Sequence, residues 1–134
     1  MIFVDTSAFY ALEVEDDVNH VAARRFLREV REGRYGAMLT TDYVLDEMLT
    51  LLRLRHGVQA ALKFLEKIRE SRSIKVVWID ENVFQQALEY FKRDRDFKWS
   101  FTDCTSFAVM MMLKIECAFT FDEHFEQAGF TKLP

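Results

Sequence analysis

The stretch Ile2-Phe3-Val4-Asp5-Thr6-Ser7 decides the fold class, because a short apolar run there ends on a carboxylate and two hydroxyls. Further apolar stretches predict strands at residues 37–40, 74–79, 118–121 and 130–133. Stretches with helical periodicity predict helices at residues 7–13, 19–32, 42–55, 58–69, 82–93, 101–113 and 123–128. Strands that alternate with helices favour crossover connections and a mainly parallel sheet of about five strands. We therefore expect one α/β domain over residues 1–134, built as a three-layer α/β/α sandwich.

The composition restricts the class of protein. Of the 134 residues, 50% are hydrophobic and 30% are charged, which is typical of a globular domain rather than a disordered chain. The longest apolar run, residues 107–113, is too short to cross a membrane. The sequence opens without a basic and apolar leader, so a cytoplasmic location is expected. The four glycines are isolated and form no phosphate-binding loop, which argues against dinucleotide-binding folds and P-loop NTPases.

Acidic residues fall where a parallel sheet would gather them. Asp5 ends the first strand, Asp122 follows the strand at 118–121, and Asp103 lies in the first turn of the helix that precedes this strand. Ligands of such sheets bind beyond the carboxyl ends of the strands. Each of these acids also lies where a helix cap is expected, so position alone does not distinguish a helix cap from a ligand-binding residue.

Glu47 is the most informative acid. On its helix it shares a stripe with Val44, Leu51 and Leu54, whereas its neighbour Asp46 lies on a polar face. Glu47 is therefore expected to point inward. A buried carboxylate without a partner is costly, and no lysine or arginine lies on this stripe to pair with it.

Several carboxylates at one edge would repel each other and resist ionisation, so they need a bound cation. Carboxylate oxygens favour hard cations, which indicates Mg²⁺ with Mn²⁺ as an alternative. Ions held in this way hydrolyse phosphodiesters. The formal net charge is −4 and would be zero without these four acids, so bound ions would make the pocket attractive to phosphate.

Four segments then resemble a known family when they are taken together: VDTSAFYAL at 4–12, VLDEMLTLLR at 44–53, SFTDCTSFAVM at 100–110 and AFTFDEHFEQAGF at 118–130. They resemble the PIN domain, and specifically the VapC-type toxin ribonucleases. The resemblance implies a PIN-like fold, an endoribonuclease that depends on Mg²⁺ or Mn²⁺, a homodimer, and a VapB-like antitoxin as partner.

The resemblance also places roles on residues of this chain. The catalytic and metal-binding acids of the family fall on Asp5, Glu47, Asp103 and Asp122. Small polar residues that support these acids fall on Thr6, Ser7 and Thr102. Separately, the basic residues that precede Asp103 are candidates to guide the phosphates of an RNA substrate: Arg93, Arg95 and Lys98.

Alternatives to a toxin ribonuclease are an RNA-processing nuclease on the PIN scaffold outside toxin–antitoxin pairs, and a receiver-like or RNA-binding module that does not cleave. For His124, two residues after Asp122, a surface position is favoured over a contact with substrate. The arginines at 24, 28 and 31 share one helix face, which is either solvated or in contact with an antitoxin. The apolar side chains Phe9, Tyr10 and Leu12 belong to the core, to a dimer seam or to an antitoxin groove.

Overall fold

The computed structural model describes residues 1–93 and 97–134. The strands are β1 (Ile2–Val4), β2 (Met38–Thr41), β3 (Ile74–Val77), β4 (Cys117–Phe119) and β5 (Thr131–Leu133). The helices are α1 (Thr6–Glu13), α2 (His20–Arg31), α3 (Asp42–His56), α4 (Val58–Glu70), α5 (Glu81–Arg93), α6 (Phe101–Met112) and α7 (His124–Gln127). Every predicted strand and helix is present, with ends that differ by at most two residues. Among the described residues, no helix combines the length and the apolarity that a membrane crossing requires.

The five strands form one sheet in the order β3-β2-β1-β4-β5, and all four strand pairs are parallel. The predicted mainly parallel sheet is therefore confirmed. The central strand, β1, lies between β2 and β4, and it ends directly at Asp5. The backbone N–H of Asp5 donates to the carbonyl of Phe119 at 3.1 Å, which fixes the end of β1 against the end of β4. The first and the last of the four candidate acids, Asp5 and Asp122, are thus brought to one edge.

Helices cover both faces of the sheet, which confirms the three-layer sandwich. Phe3 pairs in register with Ala118, so the next residue, Phe119, points to the opposite face. On that face the ring of Phe119 packs edge-on against Phe26 of α2 at 4.8 Å. On the other face Phe3 packs against Phe125, and Phe125 packs against Phe107 of α6. The central strands β1 and β2 are therefore buried on both faces, whereas β3 and β5 at the edges of the sheet are partly exposed.

Side-chain caps fix the starts of the helices that carry acids. The hydroxyl of Thr41, at the end of β2, accepts from the N–H of Val44 at 3.1 Å and begins α3. Glu47 then lies in the second turn of α3, above the edge of the sheet. Ser100 begins α6 in a reciprocal capping box with Asp103. The carboxylate of Asp80 accepts from the N–H of Val83 at 2.9 Å at the start of α5.

The first helix does not present the exposed apolar seam considered above. Phe9 is 4% exposed and packs edge-on against Phe64 of α4 at 5.3 Å, so it belongs to the core. Tyr10 and Leu12 are half-buried. The reason is that α1 directly follows the central strand, and α2 and α3 both pack against it.

Candidate metal centre

A pocket of about 270 Å³ lies at the carboxyl edge of the sheet. Its wall includes all four acids singled out in the sequence, together with residues of α1, of the α1–α2 connection and of α3: Asp5, Thr6, Ser7, Tyr10, Asp17, Asn19, Glu47, Leu51, Asp103 and Asp122. Successive acids of the four lie 19 to 56 residues apart in sequence, and the parallel topology of the sheet brings them together. This pocket is the candidate functional site.

Asp5 is held by donors on one of its two carboxylate oxygens. Oδ2 accepts from the hydroxyl of Ser7 at 2.9 Å, from the hydroxyl of Thr120 at 2.9 Å and from the N–H of Ser7 at 3.4 Å. Oδ1 takes part in none of these bonds. Oδ2 therefore anchors the side chain, and among the described residues Oδ1 accepts no hydrogen bond from another side chain.

Burial sets the electrostatics of Asp5. The side chain is 4% exposed, and desolvation, reinforced by the charge of Asp103, raises the pKa of Asp5 from 3.8 to about 7. The hydrogen bonds from Ser7 and Thr120 oppose this rise but do not cancel it. At neutral pH the protein alone therefore does not stabilise a full negative charge at this position, and a cation would.

Asp103 caps α6 and also lines the pocket, so the cap is confirmed and the role as a metal ligand stays a prediction. Its Oδ2 accepts from the N–H of Ser100 at 3.0 Å and also contacts Nδ1 of His124 at 2.8 Å. Burial raises the pKa of Asp103, and the charge of Asp122 adds to the effect, whereas the bonds from His124 and Ser100 lower it. The cap costs one oxygen and leaves Oδ1 for the pocket.

His124 is half-buried and contacts two of the acids, which the sequence did not indicate, and a contact with substrate stays a prediction. Its side chain is 30% exposed and lies between two acids, with Nδ1 at 2.8 Å from Asp103 Oδ2 and 3.4 Å from Asp122 Oδ2. Burial lowers the pKa of His124, but the bond to Asp103 and the charges of Asp122, Asp103 and Asp5 outweigh it, so the pKa is raised overall. Among the described residues, Asp103, Asp122 and His124 form the set whose ligand atoms lie within 4.8 Å of one another. The sequence shows that His124 lies two residues after Asp122, but it does not reveal the contact of His124 with Asp103 on α6.

Glu47 points toward the pocket, as its stripe predicted, although the stripe itself is only partly buried. Val44 is fully buried, whereas Leu54 is 79% exposed because it lies beyond the edge of the helix packing. Burial raises the pKa of Glu47, and the charges of Asp103 and Asp122 add to the effect. The hydroxyl of Thr6 opposes it.

Thr6 Oγ1 is a buried polar atom that makes no well-formed hydrogen bond within the described residues. It lies in the wall of the pocket, close enough to Glu47 to favour the charged carboxylate. Buried hydroxyls are almost always partnered, so a ligand or a water inside the pocket would complete the hydrogen bonding of this atom.

Thr120 connects the acids and was not identified from the sequence. Its side chain is fully buried; its hydroxyl donates to Asp5 Oδ2 and accepts from the N–H of Asp122 at 3.0 Å. It also lies 3.1 Å from the hydroxyl of Ser7, which accepts from the N–H of Phe121 at 2.9 Å. The sequence signal that could have identified Thr120 is its position near the end of a predicted strand, two residues before an acid.

The remaining predicted residues lie outside the pocket or outside the described residues. The carbonyl of Thr102 accepts from Thr105 and Ser106, and its side chain makes no hydrogen bond to the four acids within the described part of the chain. Arg93 is exposed, donates to the carbonyl of Glu89 and lies over the ring of Tyr90. Lys98 is exposed. Arg95 lies outside the described residues, and substrate guidance by these three remains a prediction.

The donor set suits a hard divalent cation. Four carboxylates line the pocket, and carboxylate oxygens are the ligands that such a cation would take. Raised carboxylate pKa values, with like charges among the causes, and an unpartnered buried hydroxyl all show a site that the protein alone leaves electrostatically incomplete. A site of this kind can hold Mg²⁺ or Mn²⁺ and activate water at a phosphate.

The α/β sandwich with an acidic pocket at the carboxyl edge of its sheet agrees with the fold and the site expected for a nuclease of the PIN type. The PIN-domain family model matches residues 2–131. The chain belongs to the PIN-domain family and, within it, to the VapC type.

Relatives of established name support this assignment. The 23S rRNA-specific endonuclease VapC20 of Mycobacterium tuberculosis is 37% identical over 133 residues, which are 99% of this chain and 98% of the relative. A VapC ribonuclease of Archaeoglobus fulgidus is 34% identical over 114 residues, 84% of this chain and 72% of the relative. The crystal structure of M. tuberculosis VapC20, described as a Sarcin-Ricin loop cleaving toxin, superposes with a TM-score of 0.89 at 36% identity over 98% of this chain and 97% of that one.

Proposed function

We propose that this chain is an endoribonuclease that hydrolyses RNA phosphodiester bonds with Mg²⁺ or Mn²⁺, as the toxin of a VapBC-type pair. Ribonuclease activity follows from its membership of the VapC type. The single observation that carries the metal dependence is the convergence of Asp5, Glu47, Asp103 and Asp122 on one pocket.

Each acid has a distinct place in this proposal. Asp5 and Asp103 would hold the ion through the oxygens that the protein donors leave open. Asp122 would complete the site from the β4 side, directly or through water. Glu47, across the pocket on α3, would hold a metal or orient the attacking water. When bound, the ion neutralises these charges and lowers the pKa of a coordinated water.

The experiment is RNA cleavage by purified protein in Mg²⁺, in Mn²⁺ and in EDTA, beside the variant Asp5→Asn purified in the same way. Cleavage in either metal that EDTA and Asp5→Asn both abolish supports the proposal. Cleavage that persists in EDTA, or an Asp5→Asn variant as active as wild type, would contradict it.

Ribosomal RNA is the first substrate class to test. We infer this from the relative whose printed name specifies 23S rRNA and which aligns over nearly all of both chains. Incubation with intact ribosomes, followed by mapping of new RNA ends, gives a single cut in a 23S stem-loop if the inference holds. Cuts in tRNA or mRNA without a cut in 23S rRNA would reject this substrate and leave the nuclease proposal intact.

A cleft of about 380 Å³ on the face of the sheet suits the antitoxin. Half-buried apolar side chains of Leu12, Leu27 and Ile74 line it, while three exposed arginines of α2 border it at 24, 28 and 31. We propose that an amphipathic antitoxin segment with acidic residues binds there. Co-expression with the product of a small reading frame beside this gene tests it: Arg24→Glu with Arg28→Glu is expected to lose the copurifying antitoxin. Retention by that variant would place the antitoxin elsewhere.

For the homodimer, we propose the exposed aromatic face at α5. Trp78 is 73% exposed and Phe91 is 50% exposed. Phe84, one heptad before Phe91 on the same helix face, packs with it around Phe101. Exposed aromatic side chains of this kind favour a contact, and a symmetric dimer would pair them with the same residues of a second copy. Light scattering is expected to give a dimer for wild type and a monomer for Phe91→Glu; a monomeric wild type would refute the assignment.

A further inference from the structure

His124 occupies a position that the four-acid description of the site does not explain. It begins the short helix α7, and its neighbour Phe125 is fully buried against Phe3 and Phe107. Gln127 of the same helix accepts from Nε1 of Trp99 at 3.1 Å. The backbone that carries His124 is therefore anchored both to the core and to the segment that leads into α6.

From this anchored backbone His124 contacts two acids at once. Its backbone N–H donates to Asp122 Oδ1 at 2.9 Å, and its ring Nδ1 lies 3.4 Å from Asp122 Oδ2. The same Nδ1 lies 2.8 Å from Asp103 Oδ2. An ionised carboxylate accepts hydrogen bonds, so Nδ1 carries the proton here, and both the neutral Nδ1–H tautomer and the imidazolium ring can donate it.

We propose that His124 is a positioning residue of the metal centre: Nδ1–H holds Oδ2 of Asp103 beside Asp122, so that Oδ1 of Asp103 is presented to the ion. This inference rests on the proposed function. Asp103 Oδ2 already accepts from Ser100, and the second bond from His124 fixes the rotation of the carboxylate about its own axis. Groups that orient metal-binding carboxylates in this way typically contribute 10- to 100-fold to metal affinity or activity, an order-of-magnitude guide.

The test compares substitutions that keep or remove a donor at the place of Nδ1. In His124→Asn the amide nitrogen can take the place of Nδ1, whereas in His124→Gln it lies where Nε2 was, and His124→Ala has no donor. Mn²⁺ affinity measured by calorimetry is expected to fall about 10- to 100-fold in the Ala and Gln variants and to stay near wild type in the Asn variant. Glu126→Gln, on the exposed part of the same helix, serves as the control and is expected to bind Mn²⁺ like wild type.

RNA cleavage at saturating and at limiting Mn²⁺ provides the second readout. The Ala and Gln variants are expected to need more metal, and the Asn variant is not. If the Ala variant does not fold, the comparison of Asn with Gln decides. The inference is overturned if His124→Ala binds Mn²⁺ as tightly as wild type, or if Asn is as weak as Gln. Wild-type protein that neither binds Mn²⁺ nor cleaves RNA would instead refute the proposed function.

Discussion

Neutralising Asp5 is expected to make the metal-free protein more stable while it removes cleavage. Desolvation and the charge of Asp103 raise the pKa of Asp5 from 3.8 to about 7. Between these values the folded state binds more protons than the unfolded state, so the free energy of unfolding falls as pH rises from about 4 to about 7. At about 1.4 kcal/mol per pH unit, this interval corresponds to about 4 kcal/mol.

The variant Asp5→Asn removes the charge and keeps the geometry. Its side-chain oxygen can accept from Ser7 and Thr120 as Asp5 Oδ2 does, and Asn caps a helix as well as Asp. In EDTA at pH 8 we expect its free energy of unfolding to exceed that of wild type by up to about 4 kcal/mol, with the gain falling below about 1 kcal/mol at pH 4.

Urea denaturation in EDTA, followed by circular dichroism at pH 4, 5, 6, 7 and 8, measures this gain. Asp16→Asn carries the same chemical change at an exposed position and is expected to show no such pH-dependent gain. An Asp5→Asn protein that is no more stable than wild type at pH 8, or whose gain is the same at every pH, would refute the electrostatic reasoning about the pocket.

Other predictions test neighbouring parts of the site. In a gel assay of RNA cleavage, Glu47→Gln is expected to lower activity by at least about 100-fold. The control Asp46→Asn, at the adjacent exposed position, is expected to cleave like wild type. Equal loss in both variants would show that the effect is not specific to the pocket. Thr120→Val keeps the side-chain shape but removes two hydrogen bonds, so its free energy of unfolding is expected to fall by about 1–3 kcal/mol, and an unchanged urea midpoint would contradict the role given to this hydroxyl. Mn²⁺ at 100 times its dissociation constant is expected to stabilise wild type by about 2.7 kcal/mol in thermal unfolding but not Asp5→Asn, and an equal shift in both would place the ion elsewhere.

The order of helices and strands was predictable because the pattern of apolar residues is local. Short apolar runs such as Ile2–Val4 must be buried on both faces, and this requirement alone favours a parallel sheet covered by helices. Strand order and register were not predictable, because they depend on which helices pack together across the sheet. Only the structure shows that Asp5 lies at the end of the central strand, beside the end of β4.

The positions of the acids were predictable, and so was the support of Asp5 by Ser7, whereas the contributions of His124 and Thr120 were not. Glu47 could be placed because an inward carboxylate breaks an apolar stripe, which is a local conflict. His124 and Thr120 act across the fold, on Asp103 and Asp5, which lie 21 and 115 residues away in sequence. No periodicity records such contacts, and a histidine or a threonine is as common on a surface as in a site. The exposure of Leu54 shows the converse: a continuous stripe does not guarantee a continuous buried face.

Anomalous diffraction from a crystal soaked in Mn²⁺ tests the central claim most directly. We predict an anomalous peak within coordination distance of Asp5 Oδ1 and Asp103 Oδ1, with Asp122 and Glu47 facing the same ion or its waters. A crystal of active protein without a peak in this pocket, or with its manganese bound elsewhere, would contradict the account.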